Sequence, residues 1–193
     1  MPTAAHPPHA AATQALFDFL DGTHRRMQHE LRQMNVLVDA LVHERLQPAD
    51  RAQLTDTVHW FDTVAREHHL DEEKHVFPTL LVSGDAQVVE TTRRLRQDHG
   101  WIEQNWLEIG PLLSAVANGN HWFEAEQLQR AVRLFTDLCL DHLVLEESLA
   151  YHAARAHIDA ATLAAADREM AQRRQARQAR HEASAKTGRQ GRR

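Results

Sequence analysis

Residues 20–41 read LDGTHRRMQHELRQMNVLVDAL. Within this stretch Leu20, His24, Met27, Leu31, Met34, Val38 and Leu41 follow a 4-3-4-3-4-3 spacing, which places them on one face of an α-helix that packs in a bundle. All but one are apolar, and the exception is a histidine. The rhythm recurs three times: through Leu54, Val58, Phe61, Ala65, His68, Glu72 and His75, then Val88, Thr92, Leu95, His99, Ile102, Trp106, Ile109 and Leu113, then Leu128, Val132, Phe135, Cys139, His142, Glu146 and Leu149. Each helix therefore offers a histidine to the interior. Pro48-Ala49-Asp50, Ser83-Gly84-Asp85 and Asn118-Gly119-Asn120 separate the four segments, with Asp50 expected as a helix N-cap. Short connections of this kind make successive helices antiparallel neighbours. Gly110-Pro111 is expected to kink or locally break the third helix. The expected fold is all-α: an antiparallel up-down-up-down four-helix bundle over residues 13–155. A Pro- and Ala-rich disordered leader at 1–12 precedes it, and a basic Ala/Arg/Gln-rich tail at 156–193, with helix-forming composition, completes the chain.

Composition agrees. A length of 193 residues with 42% hydrophobic and 25% charged side chains suits one soluble domain with a packed core, and seven Gly, six Pro and one Tyr leave little material for strands. The single cysteine, Cys139, excludes an internal disulfide and a four-thiolate zinc site, and fits a reducing compartment. Neither a signal peptide nor a membrane span is visible, so the expected location is the cytoplasm. The net charge of −5 hides an asymmetry: residues 167–193 carry +6 and the preceding ones −11. The tail lacks aromatic residues to stack on bases, so nucleic acid is not expected as a partner. A solvated tail is the favoured reading, with contact to a protein partner as the alternative.

Fifteen histidines in an acidic chain raise metal binding, because imidazole is the commonest metal-ligating side chain. Four His-x-x-x-Glu pairs occur, His68/Glu72, His69/Glu73, His99/Glu103 and His142/Glu146, where chance supplies about one. His68/Glu72 and His142/Glu146 lie in seam phase. His69 and Glu73 fall in line with Asp62 and Arg66, on the face expected to be polar. Distances to the turns place His24, His68, Glu72, His99, His142 and Glu146 within one or two turns of a common layer, at about 1.5 Å of rise per residue. Burying four imidazoles and two carboxylates without partners costs about several kcal/mol per charged group. Two divalent or trivalent cations would satisfy them; the competing reading is a plain bundle with an internal hydrogen-bonded His/Glu network.

The stretch His68-His69-Leu-Asp-Glu72-Glu73-Lys-His-Val-Phe77-Pro78 resembles the signature of the hemerythrin-like, or HHE cation-binding, family. His142-Leu-Val-Leu-Glu146-Glu147 resembles its fourth-helix partner, although that copy ends in Leu149-Ala150-Tyr151 rather than Phe-Pro. His24 and His99 resemble the first- and third-helix ligands, and the match covers about residues 13–155. The resemblance implies a centre of two non-haem iron ions joined by an oxo or hydroxo bridge. His24 and His68 would serve one iron, His99 and His142 the other, and Glu72 and Glu146 would bridge. Each iron would then have five donors and one open position. Oxygen-carrying hemerythrins have a further histidine where Glu103 stands, so Glu103 is either a ligand or a partly exposed acid beside the site.

His75 is expected to be a hydrogen-bonded core residue rather than a ligand, and Cys139 a small buried hydrophobe, with lining of the pocket as the alternative. Trp60, Trp101, Trp106 and Trp122 are expected to pack. His29, His43, His59, His121, His152 and His157 are expected at the surface. Met27, Ala65, Ile102 and Cys139 would keep water from the site. The expected function is binding of a diatomic ligand, dioxygen or nitric oxide, for sensing, storage or stress protection. The alternatives are an enzyme acting on peroxide or nitric oxide, an iron donor to damaged iron-sulfur centres, and a structural or transport site for iron, zinc or manganese. On this phase assignment His68→Ala loses at least one iron and His69→Ala keeps both.

Overall fold

The structure, a computed structural model, describes residues 8–120 and 122–190. Among them every regular element is helical. Helix α1 is Pro8–Val42. Helix α2 runs without interruption over 48–81, with π-helical turns at Phe61–Ala65 and Glu72–Val76. Helix α3 is Ala86–Ala117. Helix α4 covers 125–157 and contains a third π turn at Glu146–Ala150, and α5 is Ala160–Gln190. Helix α1 packs against α2, α4 and α5, and α3 packs against α2 and α4. No helix among the described residues is long and apolar enough to cross a membrane.

Local chemistry sets the boundaries. Helix α2 starts one turn earlier than the Asp50 cap expected from sequence. Gln47 is its N-cap, Pro48 occupies the position where an N–H is not needed, and the Asp50 carboxylate accepts the Gln47 N–H at 2.7 Å. Asp85 caps α3 by accepting from the backbone N–H groups of Gln87 and Val88. Gly84 and Gly119 both have φ of 80°, the left-handed region in which a side chain is disfavoured. Helix α3 is continuous through Pro111, so the expected break is absent. Ile109 and Leu113 are buried on either side while Pro111 faces solvent, and packing holds the helix across the lost hydrogen bond. Gly110 is needed there because a Cβ would lie 3.2 Å from the Trp106 indole.

Helix α1 begins at Pro8, so it covers residues 8–12 of the expected leader; the remaining leader residues, 1–7, lie outside the described residues. The first half of the expected tail is docked rather than solvated. Leu163, Ala166 and Met170 of α5 are buried, Glu169 pairs with Lys74 at 2.7 Å, and Arg173 pairs with Asp71.

Two apolar clusters flank a polar layer. One contains Met27, Met34, Phe61, Ile102, Trp106, Phe135 and Cys139, and the other Leu16, Leu20, Phe77, Leu95, Tyr151, Ala154 and Met170. On each of α1 to α4 a buried histidine, with Glu72 on α2 and Glu146 on α4, falls between residues of the first cluster and residues of the second. Trp106 and, partly, Trp60 pack as expected, whereas Trp101 and Trp122 are exposed. Trp101 lies off the seam of His99, Ile102 and Trp106 on α3, and Trp122 lies in the connection between α3 and α4.

Candidate metal centre

The polar layer takes His24 from α1, His68, His69 and Glu72 from α2, His99 from α3, and His142 and Glu146 from α4, all buried. Two groups of donor atoms form, each with its members within 4.8 Å of one another: His24, His68, Glu72 and Glu146 in one, and His69, His99 and His142 in the other. The carboxylates join them. Glu72 Oε1 is 3.1 Å from His68 Nε2 and 3.6 Å from His24 Nε2, while its Oε2 faces His99 Nε2 at 3.6 Å. Glu146 Oε2 lies 3.2 Å from His142 Nε2 and 3.4 Å from His24 Nε2. The structure thus brings together the six residues expected from sequence and adds a seventh, His69.

A seam drawn at the constant 4-3 spacing puts His69 on a polar face, and the helix does not keep that period. The π turns at Phe61–Ala65 and Glu72–Val76 each insert a residue and rotate the helix beyond them, so the buried face of α2 widens to hold His68 and His69 side by side. His69 stacks on His99 with ring centroids 4.1 Å apart. The turn before Phe77-Pro78 has a local cause, because proline supplies no N–H for the regular ladder. The third π turn does the same to α4: Leu149, an expected seam residue, is exposed, and Ala150 and Tyr151 take its place inside. Tyr151 is the second site residue that helical phase does not reveal. Its hydroxyl donates to Glu72 Oε1 and lies 3.1 Å from His24 Nε2, and its ring stacks on His24.

The second glutamate of each Glu-Glu pair acts from behind the layer. Glu147 Oε1 accepts from His24 Nδ1 at 2.9 Å, and Glu73 Oε1 accepts from His99 Nδ1 at 3.0 Å. Each carboxylate fixes its ring and favours the tautomer whose Nε2 lone pair points into the layer. Repetition of the Glu-Glu doublet on two helices is the one sign of this role in the sequence.

Electrostatics show what the layer lacks. Burial opposes a charge on His24, but the Glu146 and Glu72 carboxylates beside it outweigh that and raise the pKa to about 10. Burial lowers His68 to about 4 and pushes His69 well below the usual imidazole range, helped there by the neighbouring imidazoles. Burial also opposes a charge on His142, yet the Glu146 carboxylate 3.2 Å away leaves it raised; Glu146 is held well below the usual carboxylate range against its own burial by His142 and His24. Even so, the ring nitrogens of His68 and His142, Nε2 of His69 and His99, Oε2 of Glu72 and both oxygens of Glu146 are buried without a hydrogen-bond partner. Buried polar atoms are normally satisfied, and so many orphans facing one another mark a place where cations belong.

Other expected residues sit elsewhere. Glu103 is tied to Arg66 at 2.8 Å, a partly exposed acid lining a cleft that also contains His69 and His99. His75 is buried, but its Nε2 faces Glu169 of α5 at 3.2 Å. Cys139 is buried in the apolar cluster, where burial pushes its thiol up. His29, His43, His59, His152 and His157 are at least partly exposed, and His121 lies outside the described residues. Two clefts reach the layer. One of about 150 Å³ ends at His68 beneath Met170 and Arg173, and one of about 380 Å³, flanked by Arg66, Arg96, Glu73 and Glu103, ends at His69 and His99.

No curated protein matches the chain by sequence. The family model for the hemerythrin HHE cation-binding domain matches residues 15–154, a span that begins on α1 and ends on α4 and holds every donor of the polar layer. With that match over most of its length, the chain belongs to the hemerythrin HHE cation-binding domain family.

Proposed function

We propose that the chain is a non-haem di-iron protein that binds a diatomic ligand, dioxygen or nitric oxide, for sensing, storage or stress protection. The observation that carries this reading is the buried layer of unpartnered imidazole nitrogens and carboxylate oxygens contributed by four helices. The donor set fits iron: nitrogen and carboxylate oxygen are present and thiolate is absent, since Cys139 lies among apolar side chains. His24 and His68 would hold one ion and His69, His99 and His142 the other, with Glu72 and Glu146 shared. When bound, the metal pair supplies reversible electron donation to the small ligand.

The protein's own residues do the rest. Glu73 and Glu147 orient His99 and His24 and increase their basicity. Ile102, Met27, Phe135 and Cys139 wall off one side of the layer and Leu20, Phe77 and Leu95 the other, which keeps bulk water from the donors. The donor count would make the two ions unlike, because three imidazoles are available to the second and two to the first, so an ion held by His24 and His68 would have fewer imidazole donors.

The architecture inferred with this function is an antiparallel up-down-up-down bundle over 13–155, with a basic segment at 156–193, in a cytoplasmic protein. Cross-helix contacts support the antiparallel reading. Arg51 near the start of α2 donates to the Val116 carbonyl near the end of α3, Gln53 of α2 bonds Gln33 of α1, and Gln129 near the start of α4 bonds Asp39 near the end of α1.

Anaerobic reduction of the iron-loaded chain and then oxygen titration tests the function. A visible absorption that forms with oxygen and reverses on its removal is expected. Irreversible oxidation without such a band contradicts ligand binding, and steady peroxide consumption would move the assignment to the enzymatic alternative.

A further inference from the structure

The phenol of Tyr151 enters the polar layer beside His24 and Glu72, in the donor group that has fewer imidazoles. Its oxygen is 3.1 Å from His24 Nε2 and within hydrogen-bond reach of Glu72 Oε1. Two metal–ligand bonds of about 2.1 Å meeting at a right angle set their donor atoms about 3 Å apart. His68 Nε2 and Glu72 Oε1, at 3.1 Å, have that spacing, and so do the phenol oxygen and His24 Nε2.

Position and rigidity point the same way. The π turn Glu146–Ala150 is one residue wider than an α turn, and it brings residue 151 over Glu146 instead of away from the layer. The ring cannot swing freely, because it is only 1% exposed, stacks on His24 at 5.1 Å with an interplanar angle of 16°, and meets Phe17 edge-on at 5.2 Å. Glu147 accepts from His24 Nδ1, so Nε2 is the ring atom turned into the layer, next to the phenol oxygen.

We propose that the Tyr151 oxygen is a protein donor to the metal held by His24 and His68, so that an incoming small ligand has to displace it. This rests on the metal-centre reading above. On loading, the phenol O–H bond breaks, its proton leaves to solvent, and the oxygen lone pair forms the bond to the metal; no electron is transferred. Small-ligand binding at this ion then becomes an exchange against a tethered phenolate rather than addition to a vacant position.

The chain contains one tyrosine, so any phenolate signature in the whole protein comes from residue 151. The full-length chain is loaded with ferrous iron, oxidised to the ferric form, and studied by visible absorption and resonance Raman spectroscopy, with and without ring-deuterated tyrosine. A broad phenolate-to-ferric charge-transfer band is expected, with ring modes that shift on deuteration. Tyr151→Phe, kept under excess ferrous iron during loading, should retain the near-ultraviolet oxo-bridge bands while losing the visible band, and azide should bleach that band in the parent. An iron-loaded parent chain with oxo-bridge bands and no phenolate modes overturns this inference and leaves the metal centre intact. A chain that takes up no iron overturns both. The parent spectrum decides the matter even if the variant folds poorly.

Discussion

Replacing His69 with alanine removes one of three imidazoles that face one another from α2, α3 and α4. Its ring is stacked 4.1 Å from His99 and 5.7 Å from His142, and its Nε2 has no partner in the protein. The ion at that position would keep His99, His142 and one oxygen from each of Glu72 and Glu146. Binding free energies of about 10 to 16 kcal/mol for four-ligand metal sites apportion to roughly 2.5 to 4 kcal/mol per ligand. Loss of one ligand should therefore weaken this ion by about two to three orders of magnitude. The metal-free fold should change little, since the side chain contributes no internal hydrogen bond through Nε2 and burial already holds it neutral. Metal analysis after dialysis against a graded chelator, alongside circular dichroism of the metal-free chain, reads both quantities. One iron retained and one lost with secondary structure intact is expected. Two irons held as tightly as in the parent would refute the reasoning and restore the polar-face assignment of His69.

The same geometry sets other outcomes. Glu103→Ala should keep both irons within a few-fold of the parent by the same chelator assay, because Glu103 is bound to Arg66 and belongs to neither group of clustered donors. Phe135→Ala should lower stability by about 3 to 5 kcal/mol in urea unfolding, because Phe135 is fully buried against Phe61 and Trp106. Metal uptake should strengthen as pH rises. His24 in the metal-free chain is raised from 6.5 to about 10 by Glu146 and Glu72 despite its burial, so at neutral pH an incoming ion must expel its proton. That one proton contributes about tenfold in affinity per pH unit below the raised value, measurable by chelator competition across about pH 6 to 9. The stabilisation His24 gives the metal-free fold has the opposite slope, being complete below 6.5 and lost as pH climbs through about 10.

Seam periodicity is sufficient for the helical elements and for the level of the polar layer. Leu20, His24, Met27 and Leu31 are buried in the expected order, and His68, Glu72, His99, His142 and Glu146 meet as the distances to the turns imply. What periodicity cannot carry is a change of period. The π turns at Phe61–Ala65, Glu72–Val76 and Glu146–Ala150 bring His69 and Tyr151 inside and turn Leu149 out, and a fixed number of residues per turn has no place for them. Pro78 is a readable cue for one of these turns, whereas Leu149-Ala150-Tyr151 carries none. Gly110-Pro111 misleads in the opposite direction, because tertiary packing of Ile109 and Leu113 overrides a local breaker. The docking of Leu163, Ala166 and Met170 is hidden by the Arg- and Gln-rich composition around them.

The metal content of the full chain after anaerobic iron loading, combined with X-ray absorption at the iron edge, tests the paired-metal centre most directly. Two irons per chain are expected, ligated by nitrogen and oxygen with no sulfur, and a second iron in the scattering shell beyond the donors. A single iron without an iron neighbour, or no tightly held metal while the helices stay folded, would contradict the paired centre.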